Sequence, residues 1–129
     1  MEQFFWFSLC VALNALLTIL LALNVSYRRM SLKIANGDGG ILDMKKAIRA
    51  HGNSVEHVTI FSLIILALCA QENEPAIIGA TVILFSTARL LHAISMLNSM
   101  FNGRRLAAGL TYMAELTGIL FLIYLLIAK

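Results

Sequence analysis

Charge is scarce in this sequence. Of its 129 residues 13% are charged, 10 Lys or Arg against 7 Asp or Glu, while 60% are hydrophobic. With a mean hydropathy of +0.84, that balance excludes a soluble globular domain, in which about a quarter of the residues carry charge. Cysteine is almost missing as well. Cys10 and Cys69 both lie inside apolar runs, so a disulfide framework and a zinc site are poor readings, and both are expected to be buried thiols. The single proline, Pro75, follows Gln71-Glu72-Asn73-Glu74 and suits the first turn of a helix. Catalytic signatures are also lacking. The glycine tract Gly37-Asp38-Gly39-Gly40 has no Lys-Ser/Thr after it and no strand before it, so it reads as a turn between helices and not as a phosphate cradle. No Ser-His-Asp or Cys-His arrangement stands out. His51 and His57 are six positions apart, about 240° round a helix, so they cannot hold one ion from a common face, and no metal is expected. Nucleic acid is not an expected partner.

What is present is long apolar runs. The length leaves room for four spans of about 20 residues with short connections and no sizeable soluble domain. The predicted spans are 4–26, 41–70, 75–101 and 105–128, an all-α integral membrane four-helix bundle in one domain. The first is expected to be a span and not a cleaved leader, because Arg28 and Arg29 follow the apolar run and no small-residue cleavage pattern closes it. Asn14 within it is expected to bond to a neighbouring helix. The stretch from Tyr27 to Lys46 reads as a basic loop, with the second helix beginning near Ile41 to Lys46, and Asn102-Gly103-Arg104-Arg105 reads as the third loop. Lys and Arg gather in loops one and three and are absent from loop two. The positive-inside rule then places loops one and three in the cytoplasm and both termini outside. The localisation expected is a multi-pass protein of a bacterial inner membrane.

The polar residues inside the spans carry the functional signal. Arg49, Asn53 and Glu56 stand at i, i+4 and i+7 and share one helix face. Arg89, His92 and Met96 make a second face on the third helix. Ionisable groups cost several kcal/mol in hydrocarbon unless they are paired or line a polar cavity. For Arg89 the acidic candidates are Glu56 and Glu115, and a structural Arg89–Glu56 ion pair is the plainer reading. Glu115 could instead be the proton-relay acid of a small exporter, although one isolated glutamate is thin support for transport. The arginine-rich pocket suits an anionic ligand, and guanidinium groups also stabilise thiolates. A free thiol titrates near 8.5, and lowering that by about two units takes about 2.7 kcal/mol of preferential thiolate stabilisation. Glutathione, with two carboxylates, an amine and a thiol, fits this description.

These residues resemble the MAPEG superfamily, the membrane-associated proteins in eicosanoid and glutathione metabolism, and are most similar to its small bacterial members. The resemblance covers nearly the whole chain. It rests on Arg28-Arg29 after the first span, Gly-Asp-Gly-Gly before the second, Arg49-Ala-His51-Gly-Asn53-Ser-Val-Glu56 within it, Arg89-Leu-Leu-His92 in the third and Arg104-Arg105 before the fourth. It implies a four-helix protomer, a homotrimer, and glutathione as co-substrate, bound between protomers near the cytoplasmic side. Carried over position by position, it implies that Arg49, Asn53 and Glu56 contact glutathione, with Glu56 on its amino group, and that His92 lines the same pocket. It also implies that Arg105 activates the thiol, and that Arg28 or Arg29 closes the pocket from the adjacent protomer. Met96 stands where several eukaryotic members have a tyrosine, and Gly52 where an arginine is common, which argues against an eicosanoid-specific synthase.

Two functions of different class follow. One is a membrane glutathione transferase or peroxidase in which Arg105 stabilises the thiolate and a lipophilic electrophile arrives from the lipid bilayer. The other is a non-catalytic trimeric membrane protein whose charges are satisfied internally. The amount of polar machinery favours the first.

Overall fold

The computed structural model of the chain describes residues 2–71 and 75–128, and the acidic part of the second connection, Glu72-Asn73-Glu74, lies outside the described residues, as does Lys129. Four helices follow one another: α1 Glu2–Leu32, α2 Leu42–Cys69, α3 Pro75–Leu97 and α4 Phe101–Ile127. Their 31, 28, 23 and 27 residues correspond to about 35–46 Å at 1.5 Å per residue, more than the roughly 30 Å of a hydrocarbon core. All four are apolar enough to cross a membrane. The α1–α2 and α3–α4 turns close one end of the bundle, called here the basic end. The last residue of α2, Cys69, and the first of α3, Pro75, lie at the other end. Among the described residues α2 and α3 form the centre, α1 packs on both, α4 packs on both, and α1 and α4 do not meet.

Side chains follow the logic of an apolar solvent. Leu13, Leu16, Leu20, Leu23, Ile60, Leu63, Ile83, Leu90, Leu120 and Ile123 are exposed, whereas small or polar groups fill the contacts between helices. Asn14 is 1% exposed and its Nδ2 donates to Ser86 Oγ of α3 at 2.8 Å, the interhelical bond expected of it. Thr18 Oγ1 and Ser54 Oγ, 3.0 Å apart, join α1 to α2. Away from the basic end, Cys10, Phe61, Ile64, Ile65, Leu68, Cys69, Ile78, Val82, Phe85 and Ala114 form the main apolar core, and the Phe61 and Phe85 rings stack at 3.7 Å and 7°. Both cysteines are free and buried.

Two boundaries differ from the sequence reading, for one physical reason. α1 does not stop at residue 26 but continues through Arg28 and Arg29 to Leu32, because nothing in that basic stretch breaks a helix once it has left hydrocarbon. It ends where Lys33 turns left-handed, φ 55°, with Lys33 N–H donating to Met30 O at 3.3 Å and Ile34 N–H to Arg29 O at 3.1 Å. That is a Schellman stop without glycine. α3 ends in the same way at Leu97 and not at residue 101: Ser99 has φ 58°, its N–H donates to Met96 O at 3.5 Å, and Met100 N–H donates to Ser95 O at 2.9 Å. Asn102-Gly103-Arg104-Arg105 is consequently the first turn of α4 and not a loop. Gly103 belongs there because a Cβ would lie 2.5 Å from Ser95 Oγ, so α4 starts in close contact with the end of α3. The Gly37–Gly40 tract is a turn as expected, with Ile41 N–H donating to Asp38 O at 3.0 Å and Gly40 N–H to Asp38 Oδ1 at 2.9 Å. Pro75 opens α3.

Candidate functional site

The first half of α2 carries the site because its apolar positions are committed elsewhere. Met44, Ala47, Ala50 and Ser54 are the buried positions there, and this spacing turns Arg49 and Glu56 outward while holding Asn53 at the edge of the helix contact. Arg49 and Glu56 are exposed and Asn53 is half-buried. Together with Ile48, Gly52 and Met96 of α3 they line a cleft of about 270 Å³. Arg49 also lines a neighbouring groove of about 260 Å³ with Lys45, Lys46, Ser95, Met100 and Arg104. The two cavities share Arg49 and Met96, so they adjoin along one side of the bundle.

Behind the cleft stands α3. Arg89, His92, Ser95 and Met96 are all buried, as residues at i, i+3, i+6 and i+7 on one face should be. Arg89 Nη2 donates to Asn53 Oδ1 at 2.9 Å. This bond fixes the Asn53 amide and leaves its NH₂ group for other partners. The Arg89–Glu56 ion pair expected from the sequence is therefore not formed within the chain. Arg89 takes Asn53 instead, and Glu115 of α4 pairs with His57. The reason is helical phase: Glu56 lies three positions past Asn53, on the outward side of α2. Several polar atoms here are buried without a partner, among them Arg89 Nε, His92 Nδ1 and Ser95 Oγ. Buried polar groups are almost always hydrogen-bonded, so each of these calls for a water, ligand or neighbouring chain.

The other arginines divide. Arg28 Nε donates to Asn24 Oδ1 at 3.1 Å along α1. Arg29 Nη1 donates to the carbonyls of Gly37 at 3.0 Å and Ala35 at 3.4 Å, tying the loop to its own helix. Within the chain, both guanidinium groups are thus directed at local partners. Arg104 and Arg105 both rest over the Phe101 ring, 5.6 and 5.5 Å from its centroid, a cation–π arrangement. Arg104 turns into the groove, its Nη1 3.8 Å from Met96 Sδ. Arg105 stays exposed and is not among the residues lining that groove.

Two features escaped the sequence reading. One is Arg104, whose inward direction depends on where α4 begins. The other is His57, whose Nδ1 lies 2.8 Å from Glu115 Oε1 between α2 and α4, with the two side chains 15% and 13% exposed. A signal for His57 was available: it stands four residues after Asn53, on the same helix face. Among the described residues no three His, Cys, Asp or Glu side chains come together as a metal site would require.

Comparison with known proteins gives one consistent result. The model of the MAPEG family matches residues 7–127. An inner membrane protein YecN of Escherichia coli strain K12 is 31% identical over 113 residues, which cover 88% of this chain and 86% of the relative. The same protein of Escherichia coli O6:H1 matches to the same extent.

Proposed function

This chain belongs to the MAPEG family, and on that premise we propose that it is a membrane-bound glutathione transferase or peroxidase acting on lipophilic electrophiles. The observation that carries this reading is the outward face of α2. Arg49 and Glu56 are seven residues apart, about 10.5 Å along the axis, both exposed and neither in an ion pair among the described residues, with Asn53 oriented between them by Arg89. A carboxylate left facing hydrocarbon is untenable. A cleft with a cation at one end, a carboxylate at the other and an amide between suits a ligand that carries a carboxylate and an amine at opposite ends. Glutathione is such a ligand.

In this reading Glu56 takes the ammonium group of glutathione, Arg49 a carboxylate, and Asn53 a peptide group. His92 borders the pocket from α3. Arg105, exposed on the first turn of α4, is free to reach a thiolate held at a boundary between two protomers of a homotrimer, with Arg28 and Arg29 of the adjoining protomer at its rim. The partly exposed faces of the helices leave ample surface for such assembly. Loops one and three then face the cytoplasm, and the name of the Escherichia coli relative supports placement in an inner membrane. Arginine stabilises the thiolate through its charge and its fork of donors.

A second reading is favoured by Arg28, Arg29 and Arg89, each of which has a hydrogen-bond partner inside the chain. In that reading the charges serve only the bundle and the trimer. Ultraviolet difference absorbance separates the two. Glutathione added to the purified protein at neutral pH is expected to give a thiolate band that Arg105→Ala loses. Absence of the band in the wild type leaves the structural reading.

A further inference from the structure

Both helices that begin at the basic end do so without a side-chain cap. The N-caps of α2 and α4, Ile41 and Met100, make no side-chain hydrogen bond to the first turn. The turns they open, at Leu42 and Phe101, line the same groove of about 260 Å³. First-turn N–H groups and the positive ends of two helix dipoles therefore converge on one space, an arrangement that attracts anions. α3 ends at this groove too, but its carbonyls at Ser95 and Met96 already accept from Met100 and Ser99 N–H.

The side chains agree with the backbone. Lys45, Lys46, Arg49 and Arg104 line the groove, and no carboxylate among the described residues does. Lys46 is held by Asp43 at 3.0 Å, whereas the other three cations have no ion pair among the described residues. Arg104 rests on the Phe101 ring and donates to Met96 Sδ at 3.8 Å, a weak acceptor for a group with five donors. At the inner wall Ser95 is 1% exposed, and its Oγ is buried without a partner, which calls for a group from outside the chain.

The mouth of the groove is apolar. Leu42, Met100 and Phe101 are 65, 51 and 58% exposed. A soluble anion makes no use of such a rim, while the chains of a lipid do. α2 and α4, with 28 and 27 residues, run to about 42 and 40 Å and so exceed the roughly 30 Å hydrocarbon core by about 10 Å, enough to bring their first turns to headgroup depth.

We propose that this groove binds the headgroup phosphate of an anionic phospholipid. Arg104, Lys45 and Lys46 take the phosphate oxygens, the Ser95 hydroxyl donates from the inner wall, and the acyl chains leave over Leu42, Met100 and Phe101. A phosphodiester keeps its charge at every physiological pH, the guanidinium fork matches its oxygens, and basic pockets between helices on the cytoplasmic side hold such headgroups. The site adjoins the cleft assigned to glutathione through Arg49 and Met96 but does not depend on that assignment.

Native mass spectrometry of the full-length protein released from detergent tests the site, by counting bound lipid as phosphatidylglycerol or phosphatidylcholine with identical chains is titrated in. The wild type is expected to bind phosphatidylglycerol at least tenfold more tightly than phosphatidylcholine. Lys45→Gln and Arg104→Gln, neither of which touches a residue of the glutathione cleft's lining set, are each expected to weaken phosphatidylglycerol at least threefold, with phosphatidylcholine unchanged. Lys33→Gln, at an exposed cation of the same end outside the groove, is the control and should alter the affinity less than twofold. An equal loss in Lys33→Gln would mark general attraction to a basic surface and overturn the proposal, as would equal affinity of the wild type for the two lipids. Inorganic phosphate in large excess separates the sources of the anion. It is expected to leave phosphatidylglycerol in place, and its displacing the lipid would assign the groove to a soluble anion and overturn the lipid reading. If Arg104→Gln does not fold, the exposed Lys45→Gln decides alone.

Discussion

The two ends of the bundle are built to different standards of completeness. Away from the basic end, α1, α2 and α3 meet through stacked Phe61 and Phe85 and a continuous set of buried apolar residues, and the polar Asn14 is fully engaged with Ser86 and the Cys10 carbonyl. Toward the basic end the described residues include five buried polar atoms without partners: Asn24 Nδ2, His51 Nδ1, Arg89 Nε, His92 Nδ1 and Ser95 Oγ. None of them lies in the Phe61–Phe85 half. One half is therefore finished by the chain itself, and the other is finished only by something added to it. In a membrane protein, where lipid competes weakly for polar groups, that contrast separates the scaffold from the site.

The largest effect that would sharpen the contrast is Phe61→Ala. Removing one ring of the stack leaves a cavity in the finished half and is expected to cost about 3 kcal/mol of stability, read as a lowered unfolding midpoint in detergent. Glutathione affinity, adjusted for the folded fraction, should be unchanged. Arg105→Ala is the converse experiment at the open end. If the arginine supplies about 2.7 kcal/mol to the thiolate, the thiol pKa returns by about two units and thiolate formation at neutral pH falls at least tenfold, with little change in thermal midpoint. Gly103→Ala tests the seam between fold and groove. Its Cβ would meet Ser95 Oγ at 2.5 Å, so the Ser95 hydroxyl must rotate away from its place at the groove, at an expected cost of about 1 kcal/mol. The smallest effect has the opposite sign. Lys33→Gly removes a side chain from a left-handed position and is expected to stabilise by about 1 kcal/mol, visible as a raised midpoint with unchanged binding.

Much of this was legible in the sequence, and the remainder failed for local reasons. The extent of α2 was readable to within a residue, because Gly37–Gly40 marks its start and its apolar run its end. The end of α1 was not, since a basic stretch after an apolar run reads as a loop although charge alone does not terminate a helix. The start of α4 was hidden because Gly103 resembles a breaker, and its actual role, close approach to Ser95, exists only in three dimensions. The face shared by Arg49, Asn53 and Glu56 follows from 100° per residue and needed no structure. That Asn53 and not an acid answers Arg89 depends on how α2 and α3 are rotated about their axes, a property of packing and not of spacing. The same holds for Arg104 and Arg105, adjacent residues whose directions differ by about 100°, so a shift of one residue in the register of α4 would turn Arg105 to where Arg104 now points.

The central claim is that the open face of α2 is completed by glutathione. Titration calorimetry on the purified protein tests it directly, comparing wild type with Glu56→Gln, a change that keeps the shape of the side chain and removes its charge. The expected result is saturable binding to the wild type, weakened about tenfold or more in the variant, a loss of at least roughly 1.4 kcal/mol. Binding of equal affinity in both proteins, or no binding to the wild type, would contradict it.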